Sequence, residues 1–579
     1  MREYIIAKNG ESNFHIVNHQ YSDETVRYAA SELQKYLLKA TNAVLPYYSD
    51  RCPSRGPEIR IGAHVRGETN VELDMKEDGF CIRGEGENIT ITASTSRGVL
   101  YGVYRFLEIF CNFRCFTKDV ETIDIFSVLK IELDEIREEP AFECRDAYFR
   151  NAFDGEFASK NRLNASLCDL SVAKGGRMKW FNFHHSFRDL VPEDIYFDEH
   201  PEYFSERDGK RERDTQLCLT NPDVYEIAES SLRGWIKNNP ECRVFSVAQN
   251  DNPRRCTCKK CLELEAQEGS TAGPIIHFVN RLADAIKEEY PRVLLHTFAY
   301  QYSVPAPKKV VARENVIVRI CSFSTRFDQP FEKLAFTDPT GAEARFINAL
   351  KDWSGHAHRL YVWDYAVNFR NYLQPFFHFH VMAENIRCFQ RLGIAGLMEQ
   401  GNFAYGGGGA FDELKAYIIS RLLWDPQTDI DEETDRYFTA LYGKNAGKVL
   451  KKYLTLMEKA CTSAPLTIYQ YPNAEFITGE LVEKSDELFK EAMAAAENET
   501  CRERIERDYL SIRFLKITRS DLDTVGRDEA VDKFINDVKR FGITEINERG
   551  SLDVAKRFMK NSRYAEDRPE YYSLYYIMQ

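Results

Sequence analysis

The sequence has no long apolar run, no excess of basic residues and no internal repeat or low-complexity tract. No stretch approaches the roughly 20 apolar residues of a membrane-spanning helix, so no membrane partner is expected. The N-terminal residues Met1–Lys8 reach a charge after a very short apolar run, whereas a signal peptide needs roughly 7–15 apolar residues. We therefore expect a cytoplasmic protein, and a secreted chain that has lost its leader is the alternative.

Basic residues are fewer than acidic ones, with 77 Lys and Arg against 90 Asp and Glu, a net charge of −13 and a pI of about 5.6. Nucleic-acid binding usually leaves a basic footprint, so no nucleic-acid partner is predicted. The 15 cysteines are an odd number scattered over 579 residues, which favours a reducing compartment over a disulfide framework. The composition leaves open whether the chain forms a homo-oligomer.

Three domains are predicted along the chain. Residues 1–128 are predicted to form a small α/β sandwich, because Thr25–Lys39 and Ser96–Phe110 have apolar residues at helical spacing and short apolar strands lie between them. Asp23 is placed to cap the first of these helices. Residues 429–579 are predicted to be helical throughout, as in Asn445–Cys461.

Residues 140–428 show repeated alternation of short apolar runs with helical stretches. The eight candidate strands are Ala147–Arg150, Trp180–His184, Gln216–Leu219, Arg243–Ala248, Val293–Ala299, Val316–Cys321, Leu360–Trp363 and Gly396–Glu399. Such alternation favours a parallel sheet, and eight strands fit a closed (β/α)8 barrel of TIM type, about 250 residues in size. An open doubly wound sheet is the less favoured alternative, because no glycine-rich phosphate loop follows the first strand.

Barrel enzymes place their reactive side chains at the carboxyl ends of the strands. Three acids occupy such positions, namely Asp251, Asp364 and Glu399. Glycoside hydrolysis needs one carboxylic acid to protonate the leaving oxygen and a second group to stabilise the oxocarbenium-like centre. Polar and aromatic residues near the same strand ends are candidate substrate-binding residues: Asn250, His184, His185, Tyr300, Tyr302, Trp363, Tyr365 and Asn402. Any one acid can alternatively cap a helix or form a loop salt bridge.

The histidines and cysteines of this region each have a structural interpretation beside the functional one. Adjacent strand residues point to opposite faces, so at most one of His184 and His185 faces the mouth of the barrel. Cys256, Cys258 and Cys261 form a C-x-C-x2-C pattern that can hold a structural zinc ion, with Cys218 as a plausible fourth ligand. Free thiols and a disulfide are the alternatives, and no cofactor is required for the predicted chemistry.

Several segments together resemble known families. Ser94–Glu108 (STSRGVLYGVYRFLE) resembles the end of the small α/β domain that precedes the barrels of α-glucuronidases and β-hexosaminidases. The central segments resemble a large bacterial family of unknown function, part of which is classed as glycoside hydrolase family 163. They are Ser246–Asn252, Ala299–Tyr302, Tyr361–Tyr365, Met398–Gly401 and Leu422–Pro426.

Family 163 comprises endo-β-N-acetylglucosaminidases that act on the chitobiose core of N-glycans. The resemblance implies a retaining mechanism assisted by the acetamido group of the substrate. Under it Glu399 is the expected general acid/base, Asp364 the residue that orients the acetamido group, and Asp251 the substitute for either.

The sequence thus predicts a glycoside hydrolase that acts on an oligosaccharide or glycan, with N-acetylhexosamine- or uronic-acid-containing sugars favoured. A non-catalytic carbohydrate-binding protein on the same barrel is the main alternative. A metal-dependent hydrolase or redox protein built around the cysteines is a third.

Overall fold

A computed structural model describes residues 2–67, 74–404, 406–519, 524–548 and 550–561. The chain divides into two compact units. The first comprises residues 1–177, 411–453 and 487–508, and the second comprises 178–410, 454–486 and 509–579. The three domains that the sequence predicts stay a prediction beside this division, and part of the predicted helical domain lies outside the described residues.

The strands are short in most of the chain. They are β1 Arg2–Lys8, β2 His15–Asn18, β3 Tyr47–Ser49, β4 Glu58–Ile61, β5 Phe80–Glu85, β6 Asn88–Ala93, β7 Arg114–Thr117, β8 Val120–Thr122, β9 Val128–Leu133, β10 Glu135–Glu138, β11 Cys144–Tyr148, β12 Trp180–Phe181, β13 Glu206–Arg207, β14 Lys210–Arg211, β15 Val244–Ser246, β16 Leu294–Ala299, β17 Val316–Cys321, β18 Arg359–Tyr365 and β19 Gly396–Gln400.

The α-helices become dense after the last strand. They are α1 Glu24–Thr41, α2 Ser96–Cys111, α3 Gly155–Lys160, α4 Phe187–Leu190, α5 Glu193–Tyr196, α6 Pro222–Asn238, α7 Lys259–Glu268, α8 Gly273–Ile286, α9 Phe331–Thr337, α10 Ala342–Ser354, α11 Phe379–Arg391, α12 Asp412–Trp424, α13 Ile430–Tyr442, α14 Lys444–Cys461, α15 Gly479–Ala494, α16 Glu499–Arg519, α17 Thr524–Arg540 and α18 Leu552–Asn561. Among the residues described, no helix is both long and apolar enough to cross a membrane.

The first unit begins with the predicted α/β arrangement. A mixed six-stranded sheet has the order β10-β5-β6-β4-β2-β3, and α1 and α2 both contact it. The Asp23 side chain accepts a hydrogen bond from the backbone N–H of Val26, which confirms the predicted cap of α1. The apolar spacing seen in the sequence is the buried face of each helix, because residues such as Leu33 and Leu107 are fully buried.

The second unit is built around a parallel half-barrel of TIM type. Six of its strands follow the order β12-β15-β16-β17-β18-β19, and each neighbouring pair is parallel. They match six of the predicted strands, and β11 of the first unit matches the first. Gln216–Leu219, all described, form no strand and have only one isolated bridge, between Phe204 and Leu217. The α/β fold class is confirmed, and the predicted third strand is wrong.

The concave face of the half-barrel can be identified from a contact across it. The rings of Trp180 on β12 and Tyr361 on β18 lie 6.4 Å apart, although three strands separate β12 from β18 in the sheet. Side chains alternate between the two faces of a strand, so Trp363 and Tyr365 share the concave face with Tyr361. Val362 and Asp364 belong to the opposite face.

Candidate functional site

Two of the three predicted acids lie side by side at the carboxyl edge of the half-barrel. Asp364 on β18 is directly opposite Glu399 on β19 in the parallel register. Both residues are buried, with Glu399 at 0% exposure. The Ser322 hydroxyl donates a hydrogen bond to Asp364, whereas the two carboxyl oxygens of Glu399 have no hydrogen-bond partner among the described residues.

This environment keeps a proton on the pair. Burial raises the pKa of Glu399 well above its usual range, and the adjacent Asp364 raises that pKa further. Burial also raises the pKa of Asp364 to about 7, against the effect of hydrogen bonds from Ser322 and the Tyr365 backbone. At neutral pH we therefore place the proton on Glu399, because Ser322 stabilises negative charge on its neighbour.

The strand pleat separates this acid pair from the predicted aromatic wall. Trp363 contacts Phe183 and Phe298, with ring centroids 5.8 and 6.0 Å away, and its Nε1–H donates to Gln400 Oε1 over 2.7 Å. All these contacts lie on the concave face. Asp364 and Glu399 project to the convex face instead, so the sequence neighbours Trp363 and Asp364 do not act on one ligand surface.

A buried arginine on the concave face is a residue that the sequence analysis missed. Arg319 on β17 is 1% exposed, and its guanidinium lies 4.3 Å from the Trp180 ring centroid and 5.7 Å from that of Trp363. Such stacking is a typical cation–π arrangement. The signal was present in the sequence, because a charged residue stands within the apolar strand Val316–Cys321.

Asp251, the third predicted acid, is placed differently from the pair. Its side chain is 45% exposed, and its Oδ1 lies 3.8 Å from His185 Nε2. Gln301 Nε2 donates to the same oxygen over 3.4 Å. Asp251 borders an open cleft of about 870 Å³, a volume within the range of ligand sites. Of the three acids, Asp251 is the one that a dissolved substrate can reach directly.

The tautomer of His185 follows from its other contact. Its Nδ1 lies 2.6 Å from the backbone oxygen of Gln249, and a carbonyl oxygen only accepts, so Nδ1 carries the hydrogen. Burial lowers the pKa of His185, while Asp251 opposes that change. The neutral ring therefore presents the lone pair of Nε2 towards Asp251.

The other polar residues predicted for the site have separate surroundings. Tyr300 lies beside His185, with ring centroids 6.0 Å apart, and burial and the Asp251 charge raise the pKa of its phenol, which stays protonated. The strand predicted at Trp180–His184 ends at Phe181, so the opposite-face prediction for His184 and His185 is wrong, and their rings stack with centroids 5.9 Å apart. His184 is exposed, and Asn402 is buried after β19. Tyr302 borders a small cavity together with Cys256 and Cys261, so it lies with the cysteines and not with Asp251.

Asn250 holds the loop in place. Its side chain accepts from the Arg188 backbone N–H over 3.1 Å and donates to the Thr215 backbone oxygen over 2.8 Å. Its backbone N–H donates to Gln216 Oε1 over 2.8 Å. Asn250 is buried and its side-chain amide is engaged on both sides, so it fixes the position of Asp251.

The fold brings the four predicted cysteines together. Cys218, Cys256, Cys258 and Cys261 are all buried, and their sulfur atoms lie within 4.8 Å of one another. Four converging thiols can bind a structural metal such as zinc.

Comparison with known proteins agrees with this fold. The chain belongs to the family described as domain of unknown function DUF4838, which matches residues 117–455, more than half of its length. Residues 7–106 match the family described as the N-terminus of glycosyl hydrolase family 67. No curated protein matches the sequence.

One solved glycosidase structure shares the fold of this chain. A family GH115 4-O-methyl-α-glucuronidase, BtGH115A, has a TM-score of 0.56 at 11% identity, covering 93% of this chain and 77% of its own, and this likeness is one of fold alone. A Flavobacterium johnsoniae chitobiase has a TM-score of 0.46 at 12% identity, covering 92% and 94%.

Proposed function

We propose that this member of the DUF4838 family is a glycoside hydrolase whose proton donor is Asp251. The observation that carries the proposal is the exposed Asp251 carboxyl facing the half-buried, neutral His185 at the edge of a cleft. The loop that holds Asp251 follows the carboxyl end of β15, and barrel enzymes place their reacting groups in such loops. The glycosidase-like fold supports the reaction class.

Asp251 and His185 face each other in a defined geometry. Nδ1 of His185 is engaged with Gln249, so Nε2 faces the Asp251 carboxyl across 3.8 Å. In the proposed reaction the Asp251 carboxyl gives a proton to the glycosidic oxygen as the bond to the anomeric carbon breaks. Asp251 then accepts a proton from the water that attacks in the second step.

The resemblance to family 163 implies Glu399 as the proton donor, and that prediction competes with our proposal of Asp251. A general acid must come within hydrogen-bond reach of the leaving oxygen. Glu399 carries a proton at neutral pH, but it is fully buried on the convex face. Asp251 meets the requirement for access, and for this reason we prefer it.

For the substrate we propose a glycan that contains N-acetylglucosamine, as the resemblance to family 163 implies. In such a reaction the acetamido oxygen of the substrate bonds to the anomeric carbon as the leaving group departs, and configuration is retained after water opens the ring. A polar side chain must orient the amide, and the role predicted for Asp364 meets the same objection as that of Glu399, because Asp364 is buried beside it on the convex face.

A hydrolysis screen with the purified chain tests the proposal. The substrates are aryl glycosides of N-acetylglucosamine, glucuronic acid and common hexoses, together with a complex N-glycopeptide. Wild type is compared with Asp251→Asn and Glu399→Gln, and thermal unfolding confirms that each variant is folded. We expect turnover that disappears in Asp251→Asn and persists in Glu399→Gln.

The opposite pattern, with turnover lost only in Glu399→Gln, returns the donor role to Glu399 and overturns our assignment. Complete silence of the wild type, combined with glycan binding that survives both substitutions, identifies a non-catalytic carbohydrate-binding protein.

A further inference from the structure

The four clustered cysteines come from two segments of the second unit. Cys218 precedes α6, Cys256 and Cys258 follow β15, and Cys261 lies in the first turn of α7. All four are buried, between 2% and 8% exposed. Their sulfur atoms converge to within 4.8 Å of one another although long stretches of chain separate Cys218 from the others.

The spacing of the sulfurs fits one tetrahedral ion. Zinc–sulfur bonds of about 2.3 Å place the sulfurs of a tetrahedral site about 3.8 Å apart. The Sγ atoms of Cys218 and Cys258 lie 3.7 Å apart. A disulfide requires sulfurs about 2.05 Å apart, and all four residues are free cysteines, so the geometry differs from that of a disulfide.

Hydrogen-bond donors surround the sulfurs as they do at thiolate metal sites. The Glu206 backbone N–H donates to Cys256 Sγ over 3.3 Å, and Arg211 Nη1 lies 3.7 Å from the same atom. The Thr220 hydroxyl lies 3.2 Å from Cys261 Sγ. Four thiolates around a divalent ion leave a net negative charge, and these donors and the Arg211 cation stabilise it.

We propose that Cys218, Cys256, Cys258 and Cys261 bind one structural zinc ion. Four sulfur ligands in a closed tetrahedral set leave no open position for substrate, which is the pattern of structural sites. The soft thiolate ligands select zinc over magnesium or calcium, and iron is the competing metal.

The ion ties together the two segments that hold Asp251. Gln216, two residues before Cys218, donates from Nε2 to the backbone oxygens of Asn250 and Asn252 over 2.8 and 2.7 Å. The chain continues from Asn252 to Cys256. The metal therefore closes a clamp around the Asp251 loop. The metal site itself does not depend on the proposed hydrolysis. Only the consequence for Asp251 rests on the proposed function.

Metal analysis of the purified full chain tests the site. After mild chelation to remove loosely bound ions, we expect about one zinc ion per chain by elemental mass spectrometry. Cys256→Ser is expected to lose most of that zinc. Cys388→Ser, which alters a buried cysteine of α11 outside the cluster, is the matched control and is expected to keep it.

A second measurement covers the case in which Cys256→Ser does not fold. Stepwise mercurial modification of the wild type is expected to release zinc in proportion to the loss of about four protected thiols. Folded wild type without stoichiometric metal overturns the proposal. So does stoichiometric iron in place of zinc, or zinc retained by folded Cys256→Ser. Each readout is independent of any substrate, so a failed hydrolysis screen leaves the result intact.

Discussion

Asp251 and Glu399 both lie at the carboxyl edge of one parallel sheet, but their surroundings differ. The Asp251 side chain is 45% exposed and faces His185 across 3.8 Å, whereas Glu399 is wholly buried and faces Asp364. The first can exchange protons with a ligand, and the second retains its proton because charge there is costly. A position at the end of a barrel strand is therefore not sufficient to identify the acid that acts.

Glu108 in the first unit shows what a buried carboxyl needs to stay charged. Glu108 is buried like Glu399, but Arg162 and Arg421 each approach its carboxylate to 2.7 Å. Burial pushes the pKa of Glu108 upwards, and these arginines outweigh it and hold the pKa well below its usual range. The partners, rather than burial alone, decide the charge.

The largest expected effect is on catalysis. Asp251→Asn removes the proposed donor, and general acid–base catalysis contributes about 10²–10⁴-fold, so kcat/KM should fall by that factor. Glu399→Gln should keep kcat/KM within about threefold of the wild-type value, because the amide replaces a carboxyl that is already neutral. Steady-state kinetics on one substrate measures both, and equal losses in the two variants would erase the distinction between the acids.

The same substitution at the two buried glutamates should change stability in opposite directions. Glu108→Gln leaves Arg162 and Arg421 without a counter-charge, at a cost of about 3–5 kcal/mol in unfolding free energy. Glu399→Gln removes a carboxyl that resists ionisation and should increase the free energy of unfolding at pH 8. Urea unfolding measures both values. Destabilisation by Glu399→Gln at pH 8 would mean that the carboxyl has a stabilising partner.

His185→Asn tests the contact between His185 and Asp251. The asparagine amide can keep the hydrogen bond to the Gln249 backbone, while the nitrogen that faces Asp251 across 3.8 Å is lost. We expect kcat/KM to fall roughly 10–100-fold, because the proposed donor loses the neighbour that faces it. An unchanged kcat/KM would remove His185 from the proposed reaction.

The smallest effect is the pH dependence of stability. Asp364 and Glu399 have raised pKa values in the folded state, so the fold holds more protons than the unfolded chain and loses stability as pH rises. The loss begins above the ordinary aspartate value of 3.8, continues through about 7 for Asp364 and extends further for Glu399. Glu399→Gln should flatten this slope, measured by denaturant unfolding at several pH values. A slope equal to that of the wild type would contradict the assignment of the proton.

Periodicity in the sequence predicted much of the fold. The strand Val316–Cys321 has the predicted bounds, and helix α14 ends at the predicted Cys461. The prediction of a strand at Gln216–Leu219 is wrong. The Gln216 side chain hydrogen-bonds to the backbone of Asn250 and Asn252, and the segment is a loop held against the residues that follow β15.

The candidate site was only partly predictable. Asp364 and Glu399 lie at strand ends, Asp251 lies in the loop that follows β15, and Cys218 joins the other cysteines. Strand alternation alone implies that Trp363 and Asp364 face opposite ways. The exposure of Asp251 and its contact with His185 depend on loops distant in sequence, which no local pattern encodes.

The most direct test of the account is how hydrolysis depends on the leaving group. A series of aryl glycosides of one sugar, with phenols of decreasing acidity, is compared between wild type and Asp251→Asn, with Glu399→Gln as the matched control. If Asp251 protonates the leaving oxygen, its variant should keep turnover of dinitrophenyl glycosides and lose it steeply for poorer leaving groups, while the control follows the wild type. A steep dependence in Glu399→Gln, with Asp251→Asn following the wild type, would contradict the account and identify the buried acid as the donor.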